Sequence, residues 1–138
     1  MSPRKIKNKA VASHEWSLYL KKAEDFRTLA QKALIDQNWN GTGLASVHMI
    51  ISVTDALLAF KAGIRSASER HMDLYFLLQQ KAQHPETKQY ANRLMEILDQ
   101  KNVIEYESRS FTEGEARDCF KKSERYFSWV CSQLPKLT

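Results

Sequence analysis

The chain has 138 residues and a formal net charge of +5 at pH 7, with 43% hydrophobic and 27% charged residues. That length suits one domain with its own core, and the composition is ordinary for a globular protein. Four glycines and three prolines argue against a turn-rich β fold and favour long helices. Since no stretch approaches the roughly 18 apolar residues of a membrane span, we expect no membrane association.

Residues 1–11 are expected to form a basic, flexible tail ahead of a single domain over residues 12–138. The tail has four positive charges and no acidic residue. It would serve as a solubilising end or as a weak electrostatic contact for nucleic acid or a partner. No apolar stretch follows it, so we do not expect a secretory signal. The charged side chains are Arg4, Lys5, Lys7 and Lys9.

Four main helices and one short helix are predicted, joined by short connections, which implies an all-α, antiparallel four-helix bundle. Apolar residues at spacings of three and four place the first helix at about Ser13 to Asp36. The second is the most apolar and runs from about Gly43 to Ala62, with Thr42 as its cap. A helix that is apolar on all sides lies at the centre of a bundle or is covered by a second subunit.

The second half of the chain gives three further elements. A short helix is expected from about Ala67 to Lys81, and a third long helix from Pro85 to about Gln100. Residues 101–111 have no helical stripe and are expected to be a junction. The segment from Thr112 to Glu115 fits a capping box at the start of the last helix, which Pro135 ends.

The two cysteines, Cys119 and Cys131, fall on that last helix about three turns apart, roughly 18 Å along its axis, so they cannot form a disulfide. Free thiols favour a reducing compartment, and we expect a cytoplasmic protein. The four histidines lie on different predicted elements, without the spacing of metal ligands. No metal site and no cofactor are therefore expected.

Two polar residues interrupt the apolar second helix. His48 and Asp55 are seven residues apart, which places them on one face, two turns from each other. Buried charged groups need partners. The pair is therefore an interior polar contact, a contact at a subunit interface, or part of a ligand site between helices.

A cluster of basic residues, Arg65, Arg70 and His71, lies near the start of the short helix and is the candidate catalytic set. A guanidinium can hold a phosphate, and an imidazole can move a proton near neutral pH. Together they suit RNA cleavage. The same residue types are also common at exposed helix ends, where Glu69 could pair with either arginine.

A second polar set lies at the junction and is the candidate binding set. Its members could bind a ligand, or they could cap a helix, neutralise its C-terminus and pack against it. They are Lys101, Asn102, Tyr106 and Arg109.

The order of these features resembles the HEPN domain (higher eukaryotes and prokaryotes nucleotide-binding), over about residues 12–134. The features are the run from Ile51 to Leu57, Gly63 at the helix end, His71 after Ser68, and the run from Lys101 to Thr112. The resemblance implies a bundle of four or five helices that forms a homodimer. It also implies a partner such as a nucleotidyltransferase of a toxin–antitoxin or defence system. Active members of the family are metal-independent ribonucleases with an Arg and a His separated by a short spacer.

At the position of that signature, the chain has Lys101 in place of Arg and Tyr106 in place of His. Lysine lacks the bidentate fork of arginine, and a tyrosine hydroxyl is a poor general base at neutral pH. We therefore expect a non-catalytic HEPN-like module that binds a nucleotide, RNA or a partner protein. The alternative is a metal-independent endoribonuclease that uses Arg65 or Arg70 with His71, because five residues separate Arg65 from His71.

Overall fold

The structure, a computed structural model, describes residues 6–67 and 71–136, without the side chain of His71. Within these residues the protein is mostly helical, with five α-helices and a two-stranded sheet, which confirms the all-α class. A 3-10 turn over Ser13–Glu15 precedes the first helix, so that helix begins at Trp16 and not at the predicted Ser13. The elements are β1 (Asn8–Ala10), α1 (Trp16–Ile35), α2 (Trp39–Ala62), β2 (Ile64–Ser66), α3 (His71–Ala82), α4 (Thr87–Tyr106) and α5 (Glu113–Cys131).

Helix α2 lies at the centre of the bundle and packs against all four other helices. Val47, Ile50 and Leu57 have no exposed surface, which is what an evenly apolar helix requires. By length and composition alone, the 24 residues of α2 could cross a membrane, contrary to the expectation from the sequence. Its most apolar stretch is 67% buried inside the protein, as in the core helix of a globular domain.

The start of α2 differs from the prediction. Asn38, not Thr42, is the N-cap, because its side-chain Oδ1 accepts a hydrogen bond from the backbone N–H of Gly41 at 2.9 Å. The helix therefore begins four residues earlier than predicted and includes both Gly41 and Gly43. Glycine is common in turns, but here both glycines lie in the first turns of a helix.

Gly43 allows a close approach between α2, the last turns of α4 and the loop that follows α4. A Cβ atom at this position would lie 2.6 Å from Ile104 Cδ1 and 2.7 Å from Phe111 Cε2. Real Cβ atoms do not come this close to a neighbouring carbon. Ile104 and Phe111 are thus held against the backbone of α2.

The expected flexible tail is wrong for residues 8–10, which form strand β1. They pair antiparallel with β2, with Lys9 opposite Arg65. The chain can make this pairing because α2 ends at Gly63 in the left-handed conformation (φ 62°), which turns the backbone into β2. Ile6 is buried in the core and anchors the strand. Residues 1–5 of the tail, with Arg4 and Lys5, lie outside the described residues.

Two helix boundaries also differ in the second half. Ala67, the predicted start of the short helix, follows strand β2 and is not helical, and the described part of helix α3 runs from His71. Helix α4 continues to Tyr106, so the predicted break after Gln100 is wrong.

The continuation of α4 is explained by Val103 and Ile104, which pack against the core over the extra turns. The capping box of α5 is confirmed. Thr112 Oγ1 accepts from the N–H of Glu115 at 3.1 Å, and Glu115 Oε1 accepts from the N–H of Thr112 at 2.9 Å. Cys119 and Cys131 are free thiols.

Candidate functional site

A cavity of about 420 Å³ opens between α1, α2 and β2. This volume lies within the roughly 300–1,000 Å³ of small-molecule sites. We call it the Asp55 cavity, because this carboxyl is its most buried charged group, with 9% of the residue exposed. The walls that matter for binding are Tyr19, Lys22, Asp25 and Phe26 of α1, Asp55 of α2, and Arg65 of β2.

Asp55 is held by the strand that follows its own helix. The backbone N–H of Ser66 donates to Asp55 Oδ1 at 3.3 Å. Burial raises the pKa of Asp55 to about 6, while the Ser66 hydrogen bond and the charges of Arg65 and Lys22 oppose that rise. A carboxyl that titrates near neutral pH inside a cavity is typical of functional sites.

Two cations, Lys22 and Arg65, line this cavity. Neither forms an ion pair with any of the residues that the structure describes. The Lys22 ammonium lies 5.9 Å from the centroid of the Tyr19 ring, within the range of a cation–π contact. Asp25, the second carboxylate on the wall, is bound by Lys21 at 2.7 Å. Both cations of the cavity can therefore contact an anionic ligand.

His48 and Asp55 do not form the interior polar contact considered above, since they line different cavities. His48 lies in a separate groove of about 280 Å³ between α1 and α2, where it stacks on Phe26 at 5.4 Å between ring centroids. Burial, and then the charge of Lys101, lower the pKa of His48. Phe26 lies between the two cavities and contributes to both. Of the alternatives, the ligand site between helices fits Asp55.

The candidate catalytic set is only partly described. Arg65 lies in the Asp55 cavity. Arg70 is outside the described residues. Helix α3 begins at His71, whose side chain is also outside the description. The structure therefore gives no distance between Arg65 and His71.

The candidate binding set lies on the last turn of α4 and the loop to α5. Arg109 makes two hydrogen bonds to Glu115, at 2.7 and 2.8 Å, and lies 3.4 Å from Glu107. These bonds, with those from Thr112, lower the pKa of Glu115 to about 2. The Arg109 guanidinium is thus held by the capping box.

The other members of that set differ in exposure, since Lys101 is half-buried while Asn102 and Tyr106 are exposed. Lys101 lies 3.7 Å from Glu105 on the next turn of α4. Asn102 is exposed, and Tyr106 has 79% of its surface exposed. Both cations of the set, Lys101 and Arg109, have an acidic neighbour. In this they differ from the two cations of the cavity.

Lys22, Tyr19 and Phe26 were missed as site residues by the sequence analysis. A signal does exist in the sequence, because the three residues follow one another at spacings of three and four and so share a face of α1. A lysine between two aromatic rings on one helix face is a candidate anion contact.

Comparison with known proteins assigns no family to this chain. No protein-family model matches it, and no curated protein matches it. The resemblance to HEPN domains stays a prediction from the order of the motifs. Over residues 6–67 and 71–136, no group of three or more His, Cys, Asp or Glu side chains is placed to hold a metal ion.

Proposed function

We propose that this chain is a non-catalytic, HEPN-like module, an antiparallel four-helix bundle with one short extra helix, that binds a nucleotide in the Asp55 cavity. The observation that supports this most is that Lys22 and Arg65, two cations without an ion pair among the described residues, both line a cavity of about 420 Å³. An ammonium and a guanidinium can together hold a phosphate. The rings of Tyr19 and Phe26 offer surfaces on which a base can stack.

The resemblance also implies RNA or a partner protein, such as a nucleotidyltransferase, as the ligand. These ligands are less well supported than a nucleotide, because the predicted contact surface has Lys101 and Arg109 next to acidic side chains. A cavity bounded by two helices and a short strand suits a small molecule better than a long polymer.

The proposal of a non-catalytic function rests on the replacements at the position of the family signature. RNA cleavage needs a group that removes the proton from a hydroxyl, and histidine does this most often. At that position the chain has Tyr106 in place of His and Lys101 in place of Arg. Single-stranded RNA incubated with the protein and EDTA is therefore expected to stay intact. Cleavage that is lost in His71→Ala would support the ribonuclease instead.

The homodimer implied by the resemblance is part of this proposal. Leu29 and Ile35 on α1 are 55% and 81% exposed, and Leu29 borders the groove that contains His48. Exposed apolar side chains beside an apolar groove are typical of contact surfaces. Leu29→Glu is expected to shift the protein to monomer in sedimentation experiments, and Leu18→Glu, at a second exposed leucine of α1, serves as the control. An unchanged mass with Leu29→Glu would contradict the dimer surface.

Nucleotide binding can be tested by calorimetric titration with the four ribonucleoside monophosphates at low salt. Lys22→Gln is expected to weaken binding by about tenfold, since it removes one charge-assisted contact of roughly 1.4 kcal/mol. Lys21→Gln is the matched control, because the adjacent Lys21 is paired with Asp25 and does not line the cavity. Absence of saturable binding, or equal losses in the two variants, would contradict the proposal.

A further inference from the structure

We propose that Asp55 takes up a proton when an oxyanion binds in the cavity, and then donates a hydrogen bond to that anion through Oδ2. This inference rests on one part of the proposed function, namely that an anion binds next to Lys22 and Arg65. It does not depend on which base, if any, the ligand carries. It assigns Asp55 the role of an anion-binding group, although an ionised carboxylate would repel the ligand.

The two oxygens of Asp55 have different surroundings. Oδ1 accepts the hydrogen bond from Ser66 and so connects the carboxyl to β2. Oδ2 makes no hydrogen bond to any residue in the described ranges. It is not fully buried, so it can be reached from the cavity. Because Asp55 lines the cavity, Oδ2 is the oxygen that a ligand can reach. A proton on Oδ2 leaves the Ser66 hydrogen bond intact, so protonation does not release the strand.

Charged groups face Asp55 from the elements around it. Helix α1 contributes Lys22 and strand β2 contributes Arg65, and both favour the ionised carboxylate. Asp25, also on α1, forms an exposed ion pair with Lys21. From α5, the Tyr126 hydroxyl lies 2.6 Å from Thr54, next to Asp55, and burial raises the pKa of this hydroxyl well above neutral pH.

A bound anion reverses this balance. Its negative charge offsets Lys22 and Arg65, the two cations that keep Asp55 ionised, and repels the carboxylate directly. Burial, which favours the neutral acid, remains. The pKa of Asp55 is already about 6 in the free protein, so a small further rise increases the protonated fraction of Asp55 near neutral pH. The neutral acid can then donate to an anion oxygen, which an ionised carboxylate cannot do.

The expected size of the effect follows from linkage. If the anion raises the pKa of Asp55 by about one unit, affinity will be about sixfold higher at about pH 5.5 than at about pH 7.5. The pH dependence of affinity has the opposite sign if an ionised carboxylate accepts hydrogen bonds from the ligand. Binding then weakens as the pH falls.

The test uses two probes whose own charge does not change between these pH values. A cyclic uridine monophosphate carries a phosphodiester, and inorganic sulfate is a divalent oxyanion. Each is titrated calorimetrically into the full chain at both pH values, and at one intermediate pH in two buffers with different ionisation enthalpies. We expect tighter binding of the nucleotide at the lower pH, with net proton uptake from the buffer.

The Asp55→Asn variant distinguishes proton uptake by Asp55 from a purely structural role of this residue. The amide keeps an oxygen for Ser66 and places a permanent N–H donor on the side of the cavity. Binding should therefore lose its pH dependence and, at about pH 7.5, be at least as tight as in the unmodified protein. Asp118→Asn, an exposed carboxylate of α5 paired with Lys122, should keep the full pH dependence.

The outcomes separate the two proposals. Equal or weaker binding at the lower pH would overturn the proton coupling and leave the nucleotide site standing. So would an Asp55→Asn variant that keeps the original pH profile. If sulfate binds with proton uptake but the cyclic nucleotide does not bind, the coupling holds and the nucleotide function is wrong. If neither probe binds at either pH, both proposals are wrong.

Discussion

The Asp55 cavity and the junction between α4 and α5 hold similar residue types, each with a lysine, an arginine and acidic side chains. At the junction, Lys101 and Arg109 have acidic neighbours within 3.7 Å. In the cavity, Lys22 and Arg65 have no such partner among the described residues, while the carboxyl between them is buried. Exposed ion pairs contribute little to stability, whereas an unpaired buried charge is costly. A group kept in the costly arrangement is the better candidate for function.

The largest expected effect concerns the stability cost of Asp55. Its pKa is raised from 3.8 to about 6, which corresponds to about 3 kcal/mol against the ionised form at neutral pH. Because the folded pKa is the higher one, the protein loses stability as the pH rises from about 4 to about 6. Asp55→Asn should therefore stabilise the protein by about 2 kcal/mol near pH 7.5 and by little near pH 4, measured by urea unfolding. A variant that is less stable near pH 7.5 would contradict the assignment of a costly charge.

A second prediction concerns the junction, which we expect to be a packing region. Gly43→Ala would place a methyl group 2.6 Å from Ile104 Cδ1, and such overpacking costs about 2 kcal/mol. Gly114→Ala is the control, because the nearest side-chain atom there is 4.0 Å away and the residue lies in the first turn of α5. That control should be neutral or slightly stabilising in thermal unfolding. Equal effects of the two substitutions would mean that α2 and the junction are not closely packed.

Substitutions of Arg65 and Arg109 should change the free energy of nucleotide binding by a smaller amount. Arg65→Gln removes the guanidinium of the cavity and should weaken nucleotide binding by about tenfold, roughly 1.4 kcal/mol. Arg109→Gln removes a guanidinium already held by Glu115 and should leave the affinity within about twofold. Calorimetric titration of both variants at the same salt concentration decides between them. The reverse ranking would transfer the binding site to the junction.

The smallest expected effect is on the capping box of α5. Arg109 and Thr112 lower the pKa of Glu115 to about 2, so stability from this contact is present at neutral pH and is lost as the pH falls through about 4 towards 2. Arg109 is exposed and Glu115 is partly exposed, and solvent screening keeps the contribution small. Glu115→Gln should lower the melting temperature slightly near pH 7 and leave it unchanged near pH 2. A large loss at neutral pH would mean that the junction contributes more to stability than the structure suggests.

The sequence predicts local features of this protein better than long-range ones. The capping box at Thr112 and the central position of α2 could be recognised, because each depends on residues close together in the chain. Strand β1 could not be recognised, since its partners at residues 64–66 lie far along the chain. Arg65 was chosen for its chemistry, but its approach to Lys22 depends on how β2 leaves α2 at Gly63. Glycine and asparagine near residue 40 are typical of a turn. The sequence does not show that Gly43 lies in a helix and faces Ile104.

The central claim is that the ligand site lies in the Asp55 cavity and not at the junction. The most direct test is a titration of the ¹⁵N-labelled protein with a cyclic uridine monophosphate, followed by backbone amide chemical shifts. We predict that the largest shifts occur at Lys22, Arg65 and Ser66, with little change at Asn102 and Tyr106. Shifts concentrated at residues 101–109, or no saturable shifts at all, would contradict it.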